Sequence, residues 1–276
     1  MMEISLATLP SAPAVPASAA PRRRFAFANQ RWISPIAGLL LWEAGSRLGL
    51  IPPNVLAAPS SVAETLASMI VSGELPYNLL VSLARALAGL AIGLTLGVIL
   101  ALVAGLSRAA EATIDPLIQI KRTIPTLALT PLFIIWFGIG EQPKVLLIAL
   151  ATLFPVYLNL FNGIRGVDVR LIEAARTLGL SRGEIVAHVV LPAALPALLV
   201  GLRYALGMAV LVLVVAEQIN ATAGLGALIN RARDFMQTDV IVVCVIVYAL
   251  LGLAGDALVR RIETRALVWR PTILGH

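Results

Sequence analysis

Apolar residues run along this chain in long blocks, and polar residues gather between the blocks. Six blocks predict membrane-crossing helices, since about 18–20 apolar residues span a bilayer as a helix. They are about Ile33–Leu50, Leu79–Leu106, Ile124–Gly140, Val145–Phe161, Ala193–Val215 and Val240–Val259. Pro125 and Pro131 break the third. The chain is thus predicted to be an all-α polytopic membrane protein of about six transmembrane helices.

Local signals refine this outline. Glu43 and Arg47 stand one helical turn apart and can pair. Ser61-x-x-Glu64 predicts a capping box that opens a short surface helix reaching about Val71. Asp239 is a plausible N-cap for the sixth span. Gly89, Gly93 and Gly97 form a ladder of small residues that lets helix backbones approach closely in lipid. Packing inside one subunit is the favoured use of this ladder; a subunit interface or pore lining is the other.

The segment EAARTLGLSRGEIVAHVVLP, Glu173–Pro192, interrupts the apolar pattern between the fourth and fifth spans. Asp168 can cap a short helix whose Leu171, Ala174, Ala175 and Leu178 make a narrow apolar face. Glu173 and Arg176 flank that face. Gly179 suits the left-handed residue that ends the helix. Ser181 and Glu184 form a second capping box, opening a helix to about Val190, and Pro192 marks the boundary with the fifth span. The result is a compact helix–Gly–helix knob. A helix lying on lipid headgroups fits poorly, because Trp and Phe are missing from residues 166–191.

Composition agrees with a membrane protein. Only 13% of the 276 residues are charged, against roughly 25% in soluble domains. The one cysteine, Cys244, lies in an apolar run, and His188 and His276 are too few and too distant to suggest a metal site. A net charge of +6 does not imply nucleic acid here, because the arginines sit at the ends of apolar blocks. Residues 1–31 are Ala/Pro/Ser-rich and predict a disordered tail; residues 32–270 form the membrane domain, with a core over 79–260. The tail does not resemble a signal peptide, because Arg22, Arg23 and Arg24 follow it.

Basic residues set the expected orientation. Arg22, Arg23, Arg24 and Arg31 precede the first span, and Arg108, Lys121 and Arg122 follow the second. Arg165, Arg170, Arg176 and Arg182 follow the fourth, and Arg260, Arg261, Arg265 and Arg270 follow the sixth. Arg47, Lys144, Arg231 and Arg233 fall on the other side. Both termini and the knob are therefore expected in the cytoplasm, with Arg231 and Arg233 against the rule.

Glu173-Ala174-Ala175, Gly179, Ile185 and Leu191-Pro192 resemble the pattern EAA-x3-G-x5-I-x5-LP. This is the coupling loop, here 166–191, of permease subunits of ATP-binding-cassette importers with the type I fold. The resemblance covers about residues 33–270. Ala128–Gly140, Ala151–Asp168, Val214–Val243 and Tyr248–Asp256 resemble the nitrate/sulfonate/taurine branch, and the last two the aliphatic sulfonate permeases in particular. The resemblance implies a permease homodimer in the bacterial inner membrane. It implies two cytoplasmic ATPase subunits and a periplasmic substrate-binding protein as partners. The cargo would be a small organic anion, an aliphatic sulfonate, or alternatively taurine or nitrate. It further implies that Glu173 and Arg176 contact the ATPase, that Ala174 and Ala175 permit close approach, that Gly179 sets the bend, and that Leu191 and Pro192 complete the motif. This chain has no G-x-x-x-x-G-K-[ST] loop, so no cofactor is expected on it and ATP would be used by the partner.

Glu217 and Gln218, at the outer end of the fifth span, are candidates for the translocation pathway, because ionisable residues in membranes tend to be functional; simple solvation of Glu217 at the interface is the other reading. Trp136 is an interfacial anchor or a pore-facing gate. Arg85 and Arg203 are expected to snorkel or to meet another subunit, with contact to an anionic substrate as the lesser alternative. A secondary transporter would show a second interrupted span to match Pro125–Pro131, and a membrane enzyme would need clustered carboxylates or a nucleophile–base pair. The sequence offers neither.

Overall fold

A computed structural model describes residues 30–269. The expected tail therefore lies outside the described residues, apart from Gln30 and Arg31, which already belong to the first helix. Eleven α-helices follow in order: α1 (Gln30–Arg47), α2 (Pro59–Val71), α3 (Glu74–Leu106), α4 (Arg108–Thr123), α5 (Thr130–Phe137), α6 (Glu141–Arg165), α7 (Val169–Thr177), α8 (Arg182–Ile185), α9 (Leu191–Asn220), α10 (Leu225–Asp234) and α11 (Thr238–Ala266). Among the described residues four helices are long and apolar enough to cross a membrane: α3, α6, α11 and the run Arg182–Ile219. A fifth is added if α4 and the segment Thr126–Phe137, bent by 88°, count as one broken span. The expected first span forms a helix, α1, with Arg47 paired to Glu43 at 2.5 Å, but α1 is not among the helices long and apolar enough to cross.

The third span departs from expectation. Ile124 precedes Pro125, whose ring disfavours helical backbone at the residue before it, and Ile124 is extended at ψ 119. The chain turns there through a short 3₁₀ segment, and Pro131 sits in the first turn of α5. Eight residues of α5 cannot cross a bilayer alone. The preceding stretch, expected as loop, is the amphipathic helix α4, capped by the Ser107 hydroxyl.

Two caps also differ. Helix α2 starts at Pro59, before Ser61, and no side chain caps it. Proline at the first helical position needs no N–H partner, and Ser60 instead donates its N–H (3.1 Å) and hydroxyl (2.9 Å) to Glu43. In α11 the N-cap is Gln237. Asp239 lies in the first turn and accepts the Thr65 hydroxyl at 2.6 Å, tying α2 to α11.

The centre of the bundle is the contact between α3 and α6. A Cβ on Gly89 would stand 2.6 Å from Ile148 Cβ, one on Gly93 2.5 Å from the Ala149 carbonyl, and one on Gly97 2.9 Å from the Leu153 carbonyl. Both residue series ascend together, so α3 and α6 run parallel. The ladder thus packs inside the subunit. On α6, Gly163 meets Ala194 and Ala197, while Gly201 meets Pro155 and Asn159, so α9 runs antiparallel to α6. This topology puts the start of α3, the start of α6, the end of α9 and α10 at one end of the bundle. The α6–α9 connection lies at the other.

The outward faces are apolar. Leu80, Ile135, Leu250 and Leu253 are all exposed, as side chains in contact with lipid tails would be.

Candidate functional site

The α6–α9 connection folds as the knob foreseen. The Asp168 carboxylate accepts the Arg170 N–H at 2.9 Å and caps α7. Gly179 has φ +85, a conformation that costs an L side chain roughly 1–2 kcal/mol. Its N–H reaches the Arg176 carbonyl, and Leu180 N–H reaches Ala175 O at 3.1 Å, closing α7. Ser181 and Glu184 then form a complete capping box: Ser181 N–H donates to the Glu184 carboxylate at 2.7 Å, and Glu184 N–H donates to the Ser181 hydroxyl. Each such cap contributes on the order of 1 kcal/mol.

Packing fixes the knob on the bundle. Ala175, Ile185 and Val190 are buried in one cluster with Leu160 and Ile164 of α6 and Ala194 of α9, and Ile172 and Leu180 pack beside them. Ala175 therefore points inward. Its neighbour Ala174 is exposed, as are Glu173, Arg176 and Gly179. The outward apolar stripe is Leu171, Ala174 and Leu178, with Leu178 80% exposed.

Pro192 does not end the knob. The run from Arg182 to Ile219 is continuous. A five-residue π-helical stretch, Val186–Val190, joins α8 to α9, and Leu191 N–H bonds to Val186 O. A π turn shifts the hydrogen-bond register by one residue, which here occurs immediately before the proline that lacks an N–H. The knob and the long helix α9 thus form one rod.

The opposite end holds the buried charged residues Arg85, Lys144 and Glu217. Glu217 is fully buried. Its carboxylate accepts from the Ser82 hydroxyl (2.7 and 2.8 Å), Arg85 Nη1 (2.6 Å), Gly226 N–H (2.9 Å) and the Tyr248 hydroxyl (3.0 Å). It thereby caps α10 and holds α3, α9 and α11 together. Asn78 accepts Gly224 N–H at 2.7 Å, and Arg85 donates to Ala223 O at 2.7 Å, fastening the α9–α10 turn to α3. Arg85 is itself buried and does not snorkel. Arg203 pairs within the chain with Glu263 at 2.5 Å. Arg231 pairs with Glu74 at 3.3 Å, which gives one of the two arginines that broke the charge rule a local partner.

The three pathway candidates do not converge. Glu217 faces protein on every side. Gln218 is exposed, and its backbone carbonyl accepts from the Asn230 side chain. Trp136 is 62% exposed within an aromatic group with Phe133 and Phe137 on α5. Sequence reasoning missed α10 and the pairing of Arg85 with Glu141. The signal was the spacing of Asn78, Ser82 and Arg85, which continues into Gly89, Gly93 and Gly97 on one face of α3.

A family model described as "Binding-protein-dependent transport system inner membrane component" matches residues 93–268, well over half of the chain. The chain belongs to this family. It is a membrane-embedded transport permease, and the family description itself ties transport to a binding protein. A putative aliphatic sulfonates transport permease protein, SsuC, of Escherichia coli K12 is 44% identical over 253 residues, covering 92% of this chain and 96% of that protein. The SsuC protein of Bacillus subtilis 168 is 42% identical, covering 87% of each. The taurine transport system permease protein TauC of Escherichia coli K12 is 36% identical, covering 84% of this chain and 86% of TauC. Among solved structures, an amino acid ABC transporter with histidines aligns at TM-score 0.60 and 20% identity, covering 72% of this chain and 97% of that chain. That match establishes the shared fold.

Proposed function

We propose that this chain carries aliphatic sulfonates inward across the bacterial inner membrane, as a homodimer served by two cytoplasmic ATPase subunits and a periplasmic binding protein. The near full-length similarity to two sulfonate permeases carries the substrate reading. The similarity to TauC keeps taurine, itself a sulfonate, as the second reading.

The ATPase binds and hydrolyses ATP, and this chain supplies the lever. The exposed stripe of Leu171, Ala174 and Leu178 enters a cleft on the ATPase, while Glu173 and Arg176 make polar contacts at its edge. Ala175 acts from beneath, by seating the knob on α6 and α9. Gly179 aims the second half of the knob. Because α8 continues into α9, a tilt of the knob moves a membrane-crossing rod directly, and Leu191 and Pro192 lie on that rod.

Reconstitution with the ATPase and binding protein in vesicles tests this. ATP-dependent uptake of ethanesulfonate is expected. Gly179→Val should insert normally and lose uptake, because a β-branched residue at φ +85 is strained and the knob is re-aimed. Full uptake by that variant would contradict the lever. Failure of the unaltered complex to take up any sulfonate would contradict the substrate.

A further inference from the structure

At the outer end of the α3–α6 contact, one carboxylate covers two buried cations. Glu141 opens α6 with its side chain 58% exposed, whereas the Arg85 and Lys144 side chains are 5% and 6% exposed. Glu141 accepts from Arg85 Nη2 at 2.8 Å and from Arg85 Nε, and from Lys144 Nζ at 3.2 Å. Arg85 is divided: Nη1 serves Glu217 and Ala223 O on the inner side, and Nε and Nη2 face Glu141. The Lys144 ammonium has three donors, and Glu141 is its one acceptor among the described residues.

The surroundings suit a particular ligand. Outside Glu141 lies an open hollow of about 470 Å³ whose other walls include Ile92, Phe137, Val145 and Leu146. A separate crevice, lined by Lys144, Gly140 and Ile139, admits in this conformation little more than a water molecule. Arg85, Lys144, Glu141 and Glu217 carry two positive and two negative charges. If Glu141 swings away, two cations remain with one carboxylate, and a buried unpaired charge is costly. One small anion restores the balance.

We propose that Glu141 is a tethered stand-in for the transported anion, and that Arg85 and Lys144 are the receptor for its oxyanion headgroup. A ligand with a monoanionic head and a short apolar tail displaces the Glu141 carboxylate. Its oxygens take the donors of Arg85 Nε and Nη2 and Lys144 Nζ, and its tail lies in the hollow. This deepens the reading of the chain as an organic-anion permease and rests on it.

Binding of ethanesulfonate to the purified full-length permease, without the binding protein, tests the site by calorimetry. If Glu141 covers the cations at least nine-tenths of the time, Glu141→Gln should bind about tenfold more tightly than the parent or better. Glu141→Gln combined with Lys144→Met should lose that gain, with folding checked by the accessibility of buried Cys244. Equal affinity in all three proteins, or no binding to Glu141→Gln, would overturn the site. Should uptake by the complete transporter persist in the face of either result, the proposed function stands and this site falls. Binding that follows the expected order, in a complex that imports no sulfonate, supports the site and removes the substrate reading.

Discussion

Adding one methyl group to Gly93 probes the packing on which the bundle rests. A Cβ there would lie 2.0 Å from Thr152 Oγ1, 2.5 Å from Ala149 O and 3.1 Å from Leu153 N. Rotation of Thr152 could relieve the first contact, at the expense of its bonds to Ile148 O (2.9 Å) and Ala149 O (3.1 Å). The carbonyl of Ala149 is backbone and moves only with α6. Reaching ordinary contact demands a shift of about 1 Å between the two helices. Overpacking of this kind costs about 1–3 kcal/mol. Gly207 is the control: it lies within α9, and a Cβ there meets nothing within 4 Å. Gly207→Ala should be neutral or should stabilise by up to about 1 kcal/mol, through helix propensity alone. Unfolding can be followed with a thiol-reactive dye, since Cys244 is the only cysteine and is fully buried. At roughly 2–4 °C per kcal/mol, the Gly93→Ala midpoint should fall by several degrees while Gly207→Ala holds or rises. A Gly93→Ala protein that melts with the parent would refute the claim that α3 and α6 touch backbone to backbone.

The same melt should show Glu217→Ala to be destabilised by about 3–5 kcal/mol, the cost of stripping one partner from a buried ion pair, and an unchanged midpoint would mean that Glu217 holds nothing in place. For orientation, a cysteine at exposed Val71 should react with a membrane-impermeant maleimide from outside intact cells, and one at exposed Gly183 only after permeabilisation; the reverse pattern would overturn the charge-based topology.

The long apolar helices were legible because lipid-facing side chains write continuous apolar runs. The knob was legible because its caps are local: Asp168, Gly179, Ser181 and Glu184 each act within four residues. Two other caps failed: α2 starts at Pro59, ahead of Ser61, and the Asp239 carboxylate accepts the Thr65 hydroxyl instead of capping α11. Pro192 does stand in the first turn of α9, and what it did not reveal is the π turn before it that keeps the rod continuous. The Glu217–Arg85–Glu141 network was hidden because it depends on contacts between residues more than fifty apart, and α10 because its cap comes from Glu217, nine residues before Gly226 and inside an apparent membrane span. Yet α3 carried a hint. In a soluble helix the apolar face is inside, whereas here Asn78, Ser82, Arg85 and the three glycines mark the buried face and large apolar residues mark the surface. Reading Arg85 as a snorkelling residue inverted that face.

Site-specific cross-linking along the exposed side of α7 and α8 tests the central claim most directly. Photoreactive residues at Glu173, Ala174, Leu178 and Arg182 in intact membranes should each capture an ATPase subunit, and the yields should change when ATP is trapped on it. If none of these positions captures an ATPase while the transporter is active, the knob is not the lever.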